Sequence, residues 1–275
     1  FEEGFFKTRL RAGYVLVRNP MNVHNVSKVA LSPEVVDAFV FWTKNPLPLM
    51  KRLDELAEYP YYFQFTLTGY GKDIEPGLPD KKQVLLPAFK ELAAKIGGQR
   101  VIWRYDPIFF SSRYSAEYHL ECFEALAAEL SGSTERCVIS FMDEYRNTKR
   151  NAQKLGAVNY SSEEFYAFAA RLAKIADKYG LKLQTCAETA DFTELGITAS
   201  ACIDKDLIEN IGGCVFLVRK RKKKNTTNTT PAVTTMILVS IFWVSHGKFF
   251  FRISSPSARF RASFSLTSRS KAMPL

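Results

Sequence analysis

YYFQFTLT at Tyr61–Thr68, PAFKELAAKI at Pro87–Ile96, RVIWRY at Arg100–Tyr105 and CVISFM at Cys137–Met142 form one succession of apolar runs broken by amphipathic stretches. The runs are rich in β-branched and aromatic residues and nearly continuous in apolar character. Strands buried on both faces read this way. Gly97-Gly98 stops the stretch that begins at Pro87, and a second helical pattern follows Ser115 with Tyr118, Phe123, Leu126 and Leu130 on one stripe. Outward from this centre the pattern repeats. Ser161 and Glu164 spell a capping box before Phe165, Phe168, Leu172 and Ile175, and Gly180 ends that helix. Further strands are expected at Tyr14–Arg18, Ala38–Thr43, Lys182–Cys186 and Ile197–Ile203. A shorter helix is expected over Pro46–Tyr59, and Ser32-Pro33-Glu34 reads as a helix cap.

Strands alternating with helices define parallel βα units, hence an α/β protein. Seven strands fit a (β/α) TIM-like barrel that lacks one N-terminal strand better than an open dinucleotide-binding sheet. No GxGxxG follows the first strand. The chain begins at Phe1 and reads as cut at its start.

Charge divides the 275 residues sharply. Residues 1–209 carry 26 Lys and Arg against 28 Asp and Glu, whereas residues 210–275 carry 12 Lys and Arg and no acid. The net charge of +10 therefore belongs to the tail, and a broad basic face on the body is excluded. The expected division is a barrel domain at 1–214 and a basic, irregular tail at 215–275. That tail holds six consecutive cations at Arg219–Lys224 and an Asn/Thr run at Asn225–Thr230. A frameshifted or degenerate end accounts for it; the alternative is a functional basic tail for RNA or membrane. Met236–Val244 is far too short to span a bilayer, which takes about 20 residues. A cytoplasmic protein without a membrane partner is expected.

The five cysteines (Cys122, Cys137, Cys186, Cys202, Cys214) are widely spaced and form no CxxC pair, which excludes a disulfide scaffold and a self-sufficient zinc site. Cys122 and Cys137 read as small core residues. Cys186, Cys202 and Cys214 are candidate metal ligands that make no complete set.

Barrel chemistry stands at the C-terminal ends of the strands. The residues there are the candidates: Lys44, Asp106, Asp143 and Glu188 for catalysis, and Arg18, Asn45, Arg104, Lys149 and Asp204 for substrate binding. A rim lysine such as Lys44 binds a carboxylate or phosphate, or forms a Schiff base when desolvated; the alternative is an ion pair with Asp106. Arg104 and Asp106 are equally readable as an internal ion pair. Asn45 before Pro46 is a turn residue or a ligand contact. Asp143, Arg146, Lys149 and Arg150 hold an anion or make a solvated face. Thr68-Gly69-Tyr70-Gly71 is a turn whose backbone amides can approach an anion. His24 has no second histidine beside it, and His119 lies in an amphipathic helix as a packing or surface residue.

YVLVRNP (Tyr14–Pro20), FWTKNP (Phe41–Pro46), YYFQFTLTGYGKDIEP (Tyr61–Pro76) and VIWRYDPI (Val101–Ile108) together resemble the DUF1848 family. So do CVISFMDEYRNTKRN (Cys137–Asn151), TCAE (Thr185–Glu188) and CIDKDLI (Cys202–Ile208). The resemblance covers about residues 1–214. Its members begin with one further strand and end in a cysteine cluster like that of radical S-adenosylmethionine enzymes. The resemblance implies a [4Fe–4S] cluster and S-adenosylmethionine acting on an unknown small or macromolecular substrate. Here Ser245-His246-Gly247-Lys248-Phe249-Phe250-Phe251 stands where the cysteine-bearing segment belongs, without its cysteines. A fragmentary, inactive member of a radical-enzyme family is the leading expectation. The alternatives are a cofactor-free barrel lyase or hydrolase, and an anion-binding protein that reaches RNA through its tail.

Overall fold

A computed structural model of the chain describes residues 3–18, 24, 26–142, 155–158, 160–186, 190–212, 242–244 and 248–250. In chain order the elements begin with α1 (Glu3–Ala12), β1 (Tyr14–Arg18), β2 (Val26–Ala30), β3 (Phe39–Thr43), α2 (Leu47–Met50) and β4 (Tyr61–Thr66). Then come α3 (Leu86–Ile96), β5 (Val101–Ile108), β6 (Phe110–Ser111), α4 (Ala116–Leu130), β7 (Arg136–Phe141) and β8 (Ala157–Val158). The last are α5 (Ser162–Lys178), β9 (Lys182–Cys186), β10 (Thr198–Ser200), α6 (Lys205–Gly212), β11 (Phe242–Val244) and β12 (Lys248–Phe250).

The chain divides into two compact units, one of residues 1–41, 48–62 and 205–275 and one of residues 42–47 and 63–204. In the first, β1 and β2 form an antiparallel hairpin with Tyr14 opposite Ala30. The strand expected at Tyr14–Arg18 is therefore present but diverted into a sheet of its own. The helix expected from Ser32 is a single turn, in which the Val35 and Val36 amides reach the Ser32 carbonyl. The helix expected over Pro46–Tyr59 splits into α2 and a 3-10 turn at Leu53–Leu56. The break falls at Arg52, whose φ of −133° and ψ of 14° lie outside the helical range.

Six strands run β3-β4-β5-β7-β9-β10 across one sheet, and β4/β5, β5/β7, β7/β9 and β9/β10 pair in parallel. Of the expected α/β barrel, the α/β sheet is present, and among the described residues no sheet closes. Among the described residues the strand order follows chain order without reversal, so they contain no topological switch point of the dinucleotide-binding kind. Right-handed crossovers in an unreversed order place successive helices on one face, and the contacts agree. Phe65 stacks on Phe89 of α3 at 5.0 Å, and Trp103 on Phe123 of α4 at 4.8 Å. Phe141 meets Phe165 of α5 edge-on at 4.9 Å. Lys90–Glu129 at 2.6 Å ties α3 to α4, and Lys178–Glu124 at 2.6 Å ties α5 to α4. These exposed pairs register the helices and add little stability.

Pleating sends alternate residues to opposite faces. Phe63, Phe65, Val101, Trp103, Cys137, Ile139 and Leu183 belong to the helix-covered face. Gln64, Thr66, Ile102, Arg104, Arg136, Val138, Gln184 and Cys186 share the other, as their register shows. The strand expected over Ile197–Ile203 ends at Ser200. The next residues turn across the face opposite α3, α4 and α5, where the Cys202 carbonyl takes the Gln64 Nε2–H at 2.8 Å and Asp204 pairs with Arg136.

No helix among the described residues is long and apolar enough to cross a membrane.

Candidate functional site

Two charged clusters stand at or near the C-terminal ends of the central strands, all within the second unit. The first is built on Glu75, whose side chain is only 6% exposed. Lys44, just past β3, and Lys81, at the start of the helical turn leading into α3, both pair with it. Thr68 Oγ1 donates to Glu75 Oε2 at 3.1 Å. Burial works to raise the Glu75 carboxyl; the two ammonium groups outweigh it and hold the group below the usual carboxylate range. Lys81 is pushed below the usual lysine range, chiefly by burial, with Glu75 opposing.

The two lysines are not equivalent. Lys81 Nζ also donates to the Thr68 carbonyl at 2.9 Å and the Tyr70 carbonyl at 2.6 Å, so its three hydrogens are all used. Lys44 makes its described bond to Glu75 alone, and 36% of its side chain is exposed. Lys81 thus positions the carboxylate and the loop, and Lys44 is the cation turned toward solvent. The loop Thr68-Gly69-Tyr70-Gly71 contributes carbonyls to a lysine. Its Gly71 amide is taken by the Tyr114 hydroxyl at 3.1 Å. A Cβ on Gly69 would lie 2.8 Å from Cys122, so glycine there serves close packing.

The second cluster is built on Arg104, 8% exposed on the face opposite α3, α4 and α5. Its Nε donates to Asp106 Oδ2 at 2.9 Å, its Nη2 reaches the same oxygen, and Nη1 donates to Gln64 Oε1. The guanidinium also lies 5.3 Å from the Trp42 ring centre. Burial alone lowers the pKa of Arg104, and Asp106 more than reverses that. One extra residue in β5 between the pairs Tyr105–Ile139 and Ile108–Phe141 makes a bulge beside Asp106, a device that re-aims a strand-end side chain.

Lys44 and Asp106 do not pair with each other: Lys44 takes Glu75, and Asp106 takes Arg104. Asn45 Oδ1 accepts the Leu47 amide at 3.2 Å and so opens α2. Asp204 pairs with Arg136, the first residue of β7, at the opposite end of that strand from its C-terminus. Arg18 ends β1 in the separate hairpin. Asp143, Lys149, Glu188 and Cys214 lie outside the described residues, as do Arg146 and Arg150.

Glu75, Lys81 and Gln64 escaped the sequence reading because none ends a strand. Glu75 had one available signal, an acid a few residues beyond a strand-end Thr-Gly-Tyr-Gly turn.

His119 is a core residue. Its Nε2–H donates to the Phe109 carbonyl at 3.0 Å, and Nδ1 accepts the Tyr105 hydroxyl at 3.0 Å. Burial pushes its pKa below the usual histidine value of 6.5. The unfolded chain therefore binds a proton that the native one refuses, and stability is lost as pH falls below 6.5 toward the native pKa. His119→Leu is expected to abolish that slope in urea melts between pH 7 and pH 5. It also lowers stability by about 1–3 kcal/mol, because two buried partners lose their bonds. An unchanged slope would show that another group carries it.

A [4Fe–4S] cluster with one open iron takes three thiolates. Cys186 and Cys202 bring two sulfurs to 3.5 Å, while Cys122 sits against Gly69 and Cys137 is buried in β7. No group of three metal-ligating residues occurs among the described residues. The described residues do not fit the cluster.

Fold and site define an α/β protein whose mostly parallel six-stranded sheet packs α3, α4 and α5 on one face and gathers charged groups near its strand ends. A family model, the domain of unknown function DUF1848, matches residues 1–233, and the chain belongs to that family. No curated protein matches the chain.

Proposed function

We propose that the protein binds a small anionic molecule, a carboxylate or phosphate, at the C-terminal edge of its sheet, with Lys44 as the direct contact. One observation carries this reading: Lys44 and Lys81 share the single buried carboxylate of Glu75, so the cluster retains one net positive charge with Lys44 as its exposed member. Arg104 is already neutralised by Asp106 and adds no further charge to recognition. As the ion-pair partner of a buried carboxylate, Lys44 works as a charge, which favours anion recognition over Schiff-base chemistry. The proposed setting is the wall of a (β/α) barrel. Support comes from the unreversed strand order, α3, α4 and α5 on one face, and the burial of Ile102 (4% exposed) and Val138 (1%) on the opposite face. The iron–sulfur chemistry implied by the family resemblance has no three-thiolate site among the described residues, and the proposal routes no step through it.

The test uses inorganic phosphate and pyrophosphate as probes in thermal unfolding, against sodium chloride at matched ionic strength. Both anions are expected to raise the Tm of the native chain, and Lys44→Ala is expected to weaken their affinity tenfold or more. Equal stabilisation of the two proteins, or none beyond the chloride control, would overturn the reading.

A further inference from the structure

The segment that turns back after β10 brings together two thiols that the anion site does not use. Cys186 closes β9, and its partner in the β9/β10 register is Ser200. Cys202 lies two residues beyond Ser200, and its Sγ stands 3.5 Å from that of Cys186. The arrangement is held from both sides by bonds that involve neither sulfur. Gln64 Nε2 clamps the Cys202 carbonyl at 2.8 Å, and Asp204 is pinned to Arg136. The two thiols differ in access, Cys202 being exposed and Cys186 buried.

We propose that Cys186 and Cys202 form a dithiol–disulfide couple that exchanges with low-molecular-weight disulfides, Cys202 attacking first and Cys186 resolving. The Cys202 thiolate attacks one sulfur of the incoming disulfide, that S–S bond breaks, and one small thiolate leaves. Cys186 then gives its proton to solvent and attacks the Cys202 sulfur, and the second small thiol departs. Two cysteine thiols are oxidised and one external disulfide is reduced to two thiols. Geometry supports the second step, because the sulfurs need close only from 3.5 Å to a bond of about 2 Å. Chemistry supports the order, because the attacking thiol must be accessible. The Cys186 thiol is pushed up by its hydrogen bond with Cys202 and by burial, which keeps it protonated until the mixed disulfide forms. The Arg104 guanidinium beside it favours the thiolate that must then attack. The couple is independent of Lys44 and its anion.

The experiment equilibrates the full chain with reduced and oxidised glutathione in graded ratios, quenches with acid, alkylates and maps peptides. Both cysteines fall in one tryptic peptide, Leu183–Lys205, while Glu188 and Glu194 between them allow a glutamyl endopeptidase to separate them. Oxidising ratios are expected to give a Leu183–Lys205 peptide lighter by two hydrogens, with no alkyl group and no retained glutathione. After glutamyl cleavage the pieces that carry Cys186 and Cys202, Leu183–Glu188 and Leu195–Lys205, should remain joined. Cys186→Ser is expected to stop at a stable glutathione adduct on Cys202. Cys202→Ser is expected to cut adduct formation at Cys186 at least tenfold, with near-UV circular dichroism confirming the native fold. In urea, the fraction closed at a given ratio should fall at least tenfold, because the fold no longer holds the sulfurs together. The proposal is overturned by a persistent adduct on Cys202 in the native chain. Equally fast labelling of Cys186 in Cys202→Ser, or equal closure in urea, would also defeat it.

Discussion

Glu75→Ala is expected to lower the stability of the chain by about 3 kcal/mol, the low end of the range for breaking one partner of a buried ion pair. The carboxylate is 6% exposed and is the described counter-charge of both Lys44 and Lys81. Its removal leaves two ammonium groups facing each other. Lys44 can swing to solvent, which keeps the loss from reaching the upper end near 5 kcal/mol. Lys81 cannot follow without giving up the Thr68 and Tyr70 carbonyls. Glu75→Gln keeps the shape and one acceptor oxygen, so it should cost roughly half as much, and the difference isolates the charge. The pH dependence has a definite sign. The native Glu75 carboxyl lies below its ordinary value of 4.5, so its stabilisation is whole above pH 4.5 and is lost as pH falls through the native pKa. Lys81 lies below its ordinary 10.5, so stability rises with pH between its native pKa and 10.5. Urea midpoints between pH 3 and pH 7 should converge for native and Glu75→Gln chains at the acid end. Parallel curves would mean that the Glu75 carboxyl has the same pKa in the folded and unfolded chains, so that its ion pairs add nothing to stability.

This cluster also shows where sequence reasoning reaches and where it stops. Lys44, Arg104 and Asp106 were legible because strand ends in a parallel α/β protein gather polar groups, and a charged residue after an apolar run marks such an end. Their partners were not legible. Nothing in the spacing distinguishes Lys44–Asp106 from Lys44–Glu75, since the choice depends on how the loop after β4 folds back under Lys81. The strands themselves were legible from β-branched and aromatic runs. Their assignment to sheets was less so: Tyr14–Arg18 has the composition of a buried strand, yet it pairs with Val26–Ala30, a run too polar to announce itself. The fold-back after Ser200 was hidden for a related reason. ITASACI reads as one strand, and only the side-chain anchors from Gln64 and Arg136, far away in sequence, bend it across the sheet.

Trp103→Ala is expected to cost about 3–5 kcal/mol, the usual toll for truncating a fully buried aromatic. The indole is 0% exposed, stacks on Phe123 at 4.8 Å and meets Tyr105 edge-on at 5.9 Å, so its loss opens a cavity between β5 and α4. It also removes a hydrogen bond: Nε1–H donates to the Leu67 carbonyl at 2.9 Å. Trp103→Phe separates the two effects, because it keeps most of the packing and strands the carbonyl, at about 1–2 kcal/mol. The separation matters for the site. Leu67 precedes Thr68, whose hydroxyl and carbonyl hold Glu75 and Lys81, so the indole anchors the near end of the loop that positions the charged cluster. Trp103→Phe should therefore weaken phosphate-induced stabilisation by more than its modest loss of global stability accounts for. A conservative core change elsewhere, such as Ile139→Val, should lower stability by about 1 kcal/mol and leave that response alone. If both variants shift the phosphate response in proportion to stability, Trp103 packs the core and does nothing more.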